Sequence, residues 1–396
     1  MLGVGLAVAW FGMISLVLVG AAAIERRQRV PFSADRPELA PPRALWGGGQ
    51  VHPPARSMLA RALASGARIV RARTRVADRS RGLRFAAHLV AGIALASALA
   101  LVPFAGSFGA DPAGAPLVVV DLQHGLVAIV FFVLLAAMAE VAVGLAEASF
   151  FARLACVRLA GRVLVLAGVF ALVLAPLAVA SDTLRLHGIV QDQAGLFTPA
   201  ALVDALLHDA GLSGLGAWAG TPIWPAWHLF RQPLTALLFL PVLGLLSRRP
   251  LALDPIGSGV RLSAFGHDDD PGELYWARME ERLASVLLAA LFVALFLGAG
   301  ALPFVSAARI VAPLAPFYGE GLPAVIAAAI EMAAFVAKTL GMLFVVARVS
   351  RSMPALRDDQ WIRWVTRRLL PLAASNLLLV FAARLLLLGA AGGARP

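Results

Sequence analysis
The chain carries one cysteine, Cys156, and one lysine, Lys338, in 396 residues. A lone cysteine excludes an internal disulfide, and an iron–sulfur cluster or cysteine-bound zinc held by this chain alone. Charge is also scarce. Charged residues make up 14%, apolar residues 60%, and mean hydropathy is +0.83, whereas a soluble domain carries about 25% charged residues. The seven histidines show no metal-ligand spacing. H-E-x-x-H, the P-loop and the Rossmann glycine fingerprint are absent, and Gly47-Gly48-Gly49 reads as a loop. No metal and no nucleotide is expected on this chain, so any electron chemistry belongs to partners. No internal repeat is visible, which argues against a secondary transporter.

What is present is a series of apolar runs. A spanning helix needs roughly 20 apolar residues, and eight stretches approach that: about 2–23, 85–103, 123–146, 163–180, 233–246, 284–302, 323–347 and 369–390. The first lacks a basic leader and is too long for a signal peptide, so it is kept as a span. Because lipid cannot pair backbone groups, these runs predict helices. The expected fold is an all-α polytopic membrane protein, one domain over 1–396, with about eight spans.

Net charge is +11, and it is unevenly distributed. Arginines crowd segment 24–84 and loops 147–162, 247–283 and 348–368, while 104–122, 181–230 and 303–322 hold few. Alternation of this kind places the basic segments in the cytoplasm and both termini outside the inner membrane. Nucleic-acid binding is not expected, because the basic stretches alternate with spans and lack interleaved aromatics. Within 24–84, residues 55–76 mix Met58, Leu59, Leu63, Ile69 and Val70 with six arginines, which predicts an interfacial amphipathic helix. A second surface helix is expected in the outer segment 198–217.

Ionisable groups inside spans are functional candidates because burying them is costly. Glu140 and Glu147 lie seven apart on the third span, as do Glu331 and Lys338 on the seventh, and each pair shares a helix face. These four residues are read as a polar path for protons. The plainer account is an interfacial Glu147 paired with Arg153, and a static Glu331–Lys338 pair fixing helix register. Glu280 and Glu281 precede the sixth span. They suit the mouth of a polar cavity, or equally a solvated helix N-terminus favouring acids. Glu25 and Arg26 close the first span, where arginines are ordinarily topology anchors. Arg357, Asp359 and Gln360 lie in the 348–368 loop and suit a charge-assisted contact with a partner.

Several of these residues resemble a known family, the heel subunit of the respiratory complex I membrane arm (subunit 1 of NADH–quinone oxidoreductase) and its relatives in membrane-bound hydrogenases. The strongest stretch is Lys338-Thr339, Arg348, Pro354, Arg357, Asp359-Gln360, Arg367, Pro371 and Asn376. Weaker similarity runs through Glu25-Arg26-Arg27, Trp46-Gly47-Gly48, Asp78-Arg79, Val102-Pro103, Arg158, Arg249-Pro250 and Asp254-Pro255. The resemblance implies a quinone cavity whose cytoplasmic mouth involves Glu25, Arg26, Arg158, Asp254, Glu280 and Glu281. It also implies quinone as substrate, other membrane-arm subunits and an iron–sulfur peripheral arm as partners, and coupling of redox chemistry to ion movement. The sequence departs from the family at the glutamate expected in the fourth span, where Ala167 or Gly168 stands, and Glu140, Glu147 and Glu331 are acids that the family pattern does not supply. The alternative is a non-catalytic anchor for a hydrogenase-like or other oxidoreductase complex.

The arginine pattern makes sidedness testable. In a Cys156→Ala background, an impermeant thiol reagent on intact cells should label Ser107→Cys and leave Ser65→Cys unlabelled. The reverse pattern would overturn the topology.

Overall fold
The computed structural model describes residues 12–21, 81–106, 116–146, 150–194, 196–197, 224–247, 271–305, 307–319, 321–352 and 358–392. The amphipathic segment 55–76 and the outer segment 198–217 lie outside the described residues. Each of the eight apolar runs falls on a helix: α1 (Gly12–Ala21), α2 (Arg81–Ala100), α3 (Gly125–Ala146), α4 (Phe150–Ser181), α7 (Pro233–Ser247), α8 (Pro271–Phe296), α10 (Gly321–Ser352) and α12 (Leu370–Gly392). Shorter helices connect them: α5 (Leu186–Gln191), α6 (His228–Arg231), α9 (Ala307–Tyr318) and α11 (Asp358–Trp364), the last joined to α12 through a π turn at Val365–Leu369. Two short strands, β1 (Leu196–Phe197) and β2 (Trp224–Pro225), pair antiparallel.

Five of these helices contain stretches long and apolar enough to cross a membrane: Gly82–Ala100, Gly125–Ala146, Cys156–Ser181, Gly321–Arg348 and Gln360–Leu385. The apolar parts of α1 and α7 are shorter, and the last 18 residues of α8 include Glu280, Glu281 and Arg282. The basic segments 147–162, 247–283 and 348–368, expected as loops, are largely helical where described. α4 begins at Phe150, α8 at Pro271, and α10 runs on to Ser352 before α11. Helix continues there because the described parts of these stretches hold no proline beyond the N-terminal Pro271, whereas apolar counting registers only the lipid-matched part. The sixth run was expected to extend to 302, yet α8 stops at Phe296, where Gly298 (φ 64°) and Ala299 (φ 49°) turn the chain.

α8 is the central post. Every residue from Val286 to Phe296 is buried, as expected of a helix apolar all round. It packs against α2, α7 and α10, while α3 bridges α2 and α4, and α12 lies on α4. Phe292 and Phe296 meet Phe239 of α7 at 5.8 and 5.5 Å between ring centres, and Phe239 reaches Phe170 of α4 at 6.0 Å. Edge and tilted contacts of this kind add about 0.5–1.5 kcal/mol each beyond the area they bury. The other faces of the helices expose Leu164, Leu237, Phe131, Leu378 and Leu379, as lipid contact requires.

Named by the sidedness that the arginines predict, the outer end of the bundle is closed by hydrogen bonds. Gln193 is buried and uses both ends of its amide. Its Nε2 donates to Ala294 O at 2.9 Å and Ile189 O at 3.3 Å, while its Oε1 accepts from Gly298 N at 2.9 Å and His228 N at 3.3 Å. Beside it, Arg231 donates to Asp192 at 2.8 Å, and Ser181 Oγ sits 3.2 Å from both Asp192 Oδ2 and His228 Nε2. Burial pushes the His228 imidazole down to about 4, with Asp192 opposing the shift and Arg231 reinforcing it. Deeper in, Asn376 donates to Thr235 at 2.9 Å, tying α12 to α7.

Two expectations follow from this packing. A Cβ at Gly300 would collide with Glu331 O and Phe104 O, whereas at Gly168 it would meet nothing within 4 Å. Gly300→Ala should therefore lower the thermal midpoint in detergent by the equivalent of about 1–3 kcal/mol, while Gly168→Ala leaves it unchanged or slightly higher. For His228, the folded pKa lies below the ordinary 6.5, so the unfolded chain binds more protons between those values. The stability contributed by the neutral ring is complete above pH ~6.5 and is lost as pH falls toward the folded value, by about 3 kcal/mol at most. Between pH 7.5 and 4.5 the wild-type midpoint should drop more than that of His228→Gln; parallel curves would refute the account.

Candidate functional site
The buried ionisable residues described fall into two groups. His187 and His228 belong to the outer closure, while Arg84, His88, Glu140 and Glu280 are buried toward the inner end. The inner group is built on α2, α3 and α8. His88 Nδ1 lies 2.9 Å from Glu280 Oε1, with side chains 4% and 2% exposed. Between an imidazole and an ionised carboxylate, the nitrogen is the donor. The second Glu280 oxygen, Oε2, is buried and makes no hydrogen bond among the described residues. Arg84 stands one turn before His88 on the same face of α2.

Glu140 belongs at this level. It is 15 residues from the outer start of α3, and His88 and Arg84 are 12 and 16 residues from the outer end of the adjoining α2. At ~1.5 Å per residue these are depths of about 18–24 Å. Glu140 is 3% exposed, and Val141 on the same helix packs with Cys156 and Leu159. Carboxyl and imidazole are the side chains most used to pass a proton, and here they are in hydrogen-bond contact. A second acid and an arginine lie at the same depth.

Lys338 and Glu331 sit elsewhere. Lys338 Nζ donates to Leu297 O at 2.8 Å, Ala299 O at 2.9 Å and Ala301 O at 2.7 Å, just beyond the end of α8. Its ammonium also lies 4.4 Å from the centre of the Trp227 ring. Glu331, two turns away on α10, takes the Gly106 amide and is near enough to feel the charge of Lys338. No Glu331–Lys338 ion pair forms. Sixteen residues of α8 separate Glu280 from Phe296, a rise of about 24 Å. The structure thus groups Lys338 with Glu331 at the outer turn and Glu140 with His88 and Glu280 at the inner end. Of the proposed polar path, Glu140 on one side and Glu331 with Lys338 on the other lie at different ends of the bundle, and Glu147 lies outside the described residues.

Of the other candidates, Arg158 is exposed on α4, and Glu281 is half-buried with its carbonyl accepting from Ser285 Oγ at 2.9 Å. Asp359 and Gln360 open α11, where Gln360 is exposed. The next residue, Trp361, is buried with the Arg162 guanidinium 5.7 Å from its ring centre, so this stretch packs on α4. Glu25, Arg26, Glu147, Asp254 and Arg357 lie outside the described residues. Three functional-looking residues escaped the sequence reading: His88, Gln193 and Trp227. For His88 a signal existed, since it is an ionisable residue inside an apolar run. Gln193 and Trp227 carry none, because their roles depend on chain segments that only the fold brings together.

Comparison with curated proteins gave no match. The sequence model of the NADH dehydrogenase family matches residues 59–254 and 271–381. It takes in His88, Glu140, Arg158, Asp254, Glu280, Lys338 and the 348–368 segment, and leaves out Glu25-Arg26-Arg27 and Trp46-Gly47-Gly48. That match spans most of a chain already seen to be a bundle of apolar helices, and the protein belongs to the NADH dehydrogenase family, the membrane subunits of complex I of the subunit 1 type.

Proposed function
We propose that this chain is the heel subunit of a complex I-like, proton-translocating NADH:quinone oxidoreductase, and that it walls the cavity through which quinone approaches the electron donor. Quinone is a substrate here, with no group held covalently. Electrons arrive from iron–sulfur clusters of a peripheral arm, and other membrane-arm subunits complete the assembly in the inner membrane. The observation that carries this reading is the His88–Glu280 pair, buried at 2.9 Å with one carboxylate oxygen unmatched among the described residues. Negative charge gained by quinone in so apolar a setting would shift the proton affinity of nearby groups strongly. Glu280 begins that response, and Glu140, at the same depth, passes it on. Glu25, Arg26, Arg158, Asp254 and Glu281 would form the mouth, and Arg357, Asp359 and Gln360 would hold the partner.

A non-catalytic anchor is the second reading. The position where the family's fourth-span glutamate is expected supports it, since Ala167 is half-buried and Gly168 exposed on α4. The two readings separate in membranes containing the whole complex. Glu280→Gln and His88→Phe should each cut NADH:quinone reduction by ~10-fold or more with unchanged amounts of assembled complex. Glu140→Gln should slow turnover and proton pumping together. Wild-type rates in all three variants would leave only the anchor.

A further inference from the structure
The end of α8 meets a cation in a way that the quinone reading does not use. Carbonyls 297, 299 and 301 converge on one point at 2.7–2.9 Å, and the face of Trp227 closes another side at 4.4 Å. Leu297 caps α8, and the final carbonyls of a helix lack intrahelical partners and carry the negative end of its dipole, while Ala299 and Ala301 add carbonyls from the turn that follows. An aromatic face attracts cations as well. Around that point the backbone is held independently of the lysine: Gly298 N by Gln193, Ala299 N by Val293 O at 3.0 Å, and Ala301 N by Gly298 O at 2.9 Å. The cage is therefore built by the turn, and the lysine fills it from α10.

The choice of side chain agrees. All but one of the 34 lysines and arginines are arginine. The exception stands where three acceptors surround a point, which suits a compact ammonium with three donors and not a planar guanidinium fork.

We propose that the 297–301 turn is a binding site for a monovalent cation of ammonium or potassium size, occupied in this protein by the tethered ammonium of Lys338, and that Lys338 serves there as a fixed counter-ion to α8 and not as a carrier of transported protons. Withdrawing the side chain leaves the carbonyls and Trp227 in place to take a free cation.

The test uses the purified full-length chain in detergent and is independent of quinone activity. Lys338→Ala should lower the thermal midpoint by on the order of 5 °C. Potassium, ammonium or methylammonium chloride should restore most of the loss, and N-methylglucamine chloride at equal ionic strength should not. A midpoint insensitive to Lys338→Ala overturns the proposal. So does recovery with the titratable amines but not with potassium, the result for a proton carrier. If the variant does not accumulate, the wild type decides. Lys338 is the only lysine, so reductive methylation followed by mass spectrometry reads it alone, with the N-terminal amine as control. The native protein should leave Lys338 unmodified and the denatured protein should not. Equal modification of both states overturns the cage.

Discussion
A helix buried on every side has nowhere to send its last carbonyls. In water they would be hydrated, and at a protein surface a glycine turn would suffice. α8 ends among α2, α6 and α10, so its end must be satisfied by side chains from elsewhere in the chain. Gln193 takes Ala294 O within the last turn, and Lys338 takes Leu297 O at the cap together with Ala299 O and Ala301 O of the turn that follows. An unmade hydrogen bond in such a place costs about 1–3 kcal/mol per group. This requirement accounts for the position of the sole lysine, for the amide buried on the outer closure, and for Gly300, where any side chain would strike the backbone of α10 and of the 101–106 turn.

The two ends of the bundle bury different kinds of polar group. At the outer end a chain of hydrogen bonds runs from Gln193 through His228, Ser181 and Asp192 to Arg231, with His187 Nδ1 and His228 Nδ1 left without a hydrogen bond among the described residues. At the inner end the His88–Glu280 pair has capacity to spare, since Glu280 Oε2 makes no bond among the described residues. Both ends are joined through one helix, α8, which carries Glu280 near its start and Ala294, bonded to Gln193, near its end.

Much of the fold was legible in the sequence because lipid allows so few solutions. Each of the eight apolar runs falls, where described, on a helix, five of them long and apolar enough to span, and the Lys338-to-Asn376 stretch pointed to the right family. The candidate site was legible only in part. Glu140 and Glu280 were singled out by being acids in or beside spans, and both are buried. His88 was passed over because histidines were read for metal spacing and not for burial. Glu331 and Lys338 share a face as expected, but the lysine turned toward the carbonyls of another helix. Seven-residue spacing says which side of a helix a group is on and nothing about what stands opposite. The end of α8 was placed too late for the same reason: composition stays apolar through 302, while the chain turns at Gly298.

The π turn between α11 and α12 sets a phase. Trp361, Val365, Leu369 and Ala373 are all buried, at intervals of four residues. In a regular α-helix each step of four overshoots a full turn by ~40°, so three steps would swing Ala373 about a third of the way round, toward lipid. The widened turn at 365–369 absorbs part of that drift. One unbroken stripe thereby runs from Trp361 beside Arg162 to Ala373, and Asn376 arrives facing Thr235 on α7. Deleting one residue within 365–369 would let the turn close to ordinary α-helix and leave Asn376 in phase, whereas deleting one between 370 and 375 would rotate everything beyond it by ~100°, moving Asn376 from a buried hydrogen bond toward the hydrocarbon.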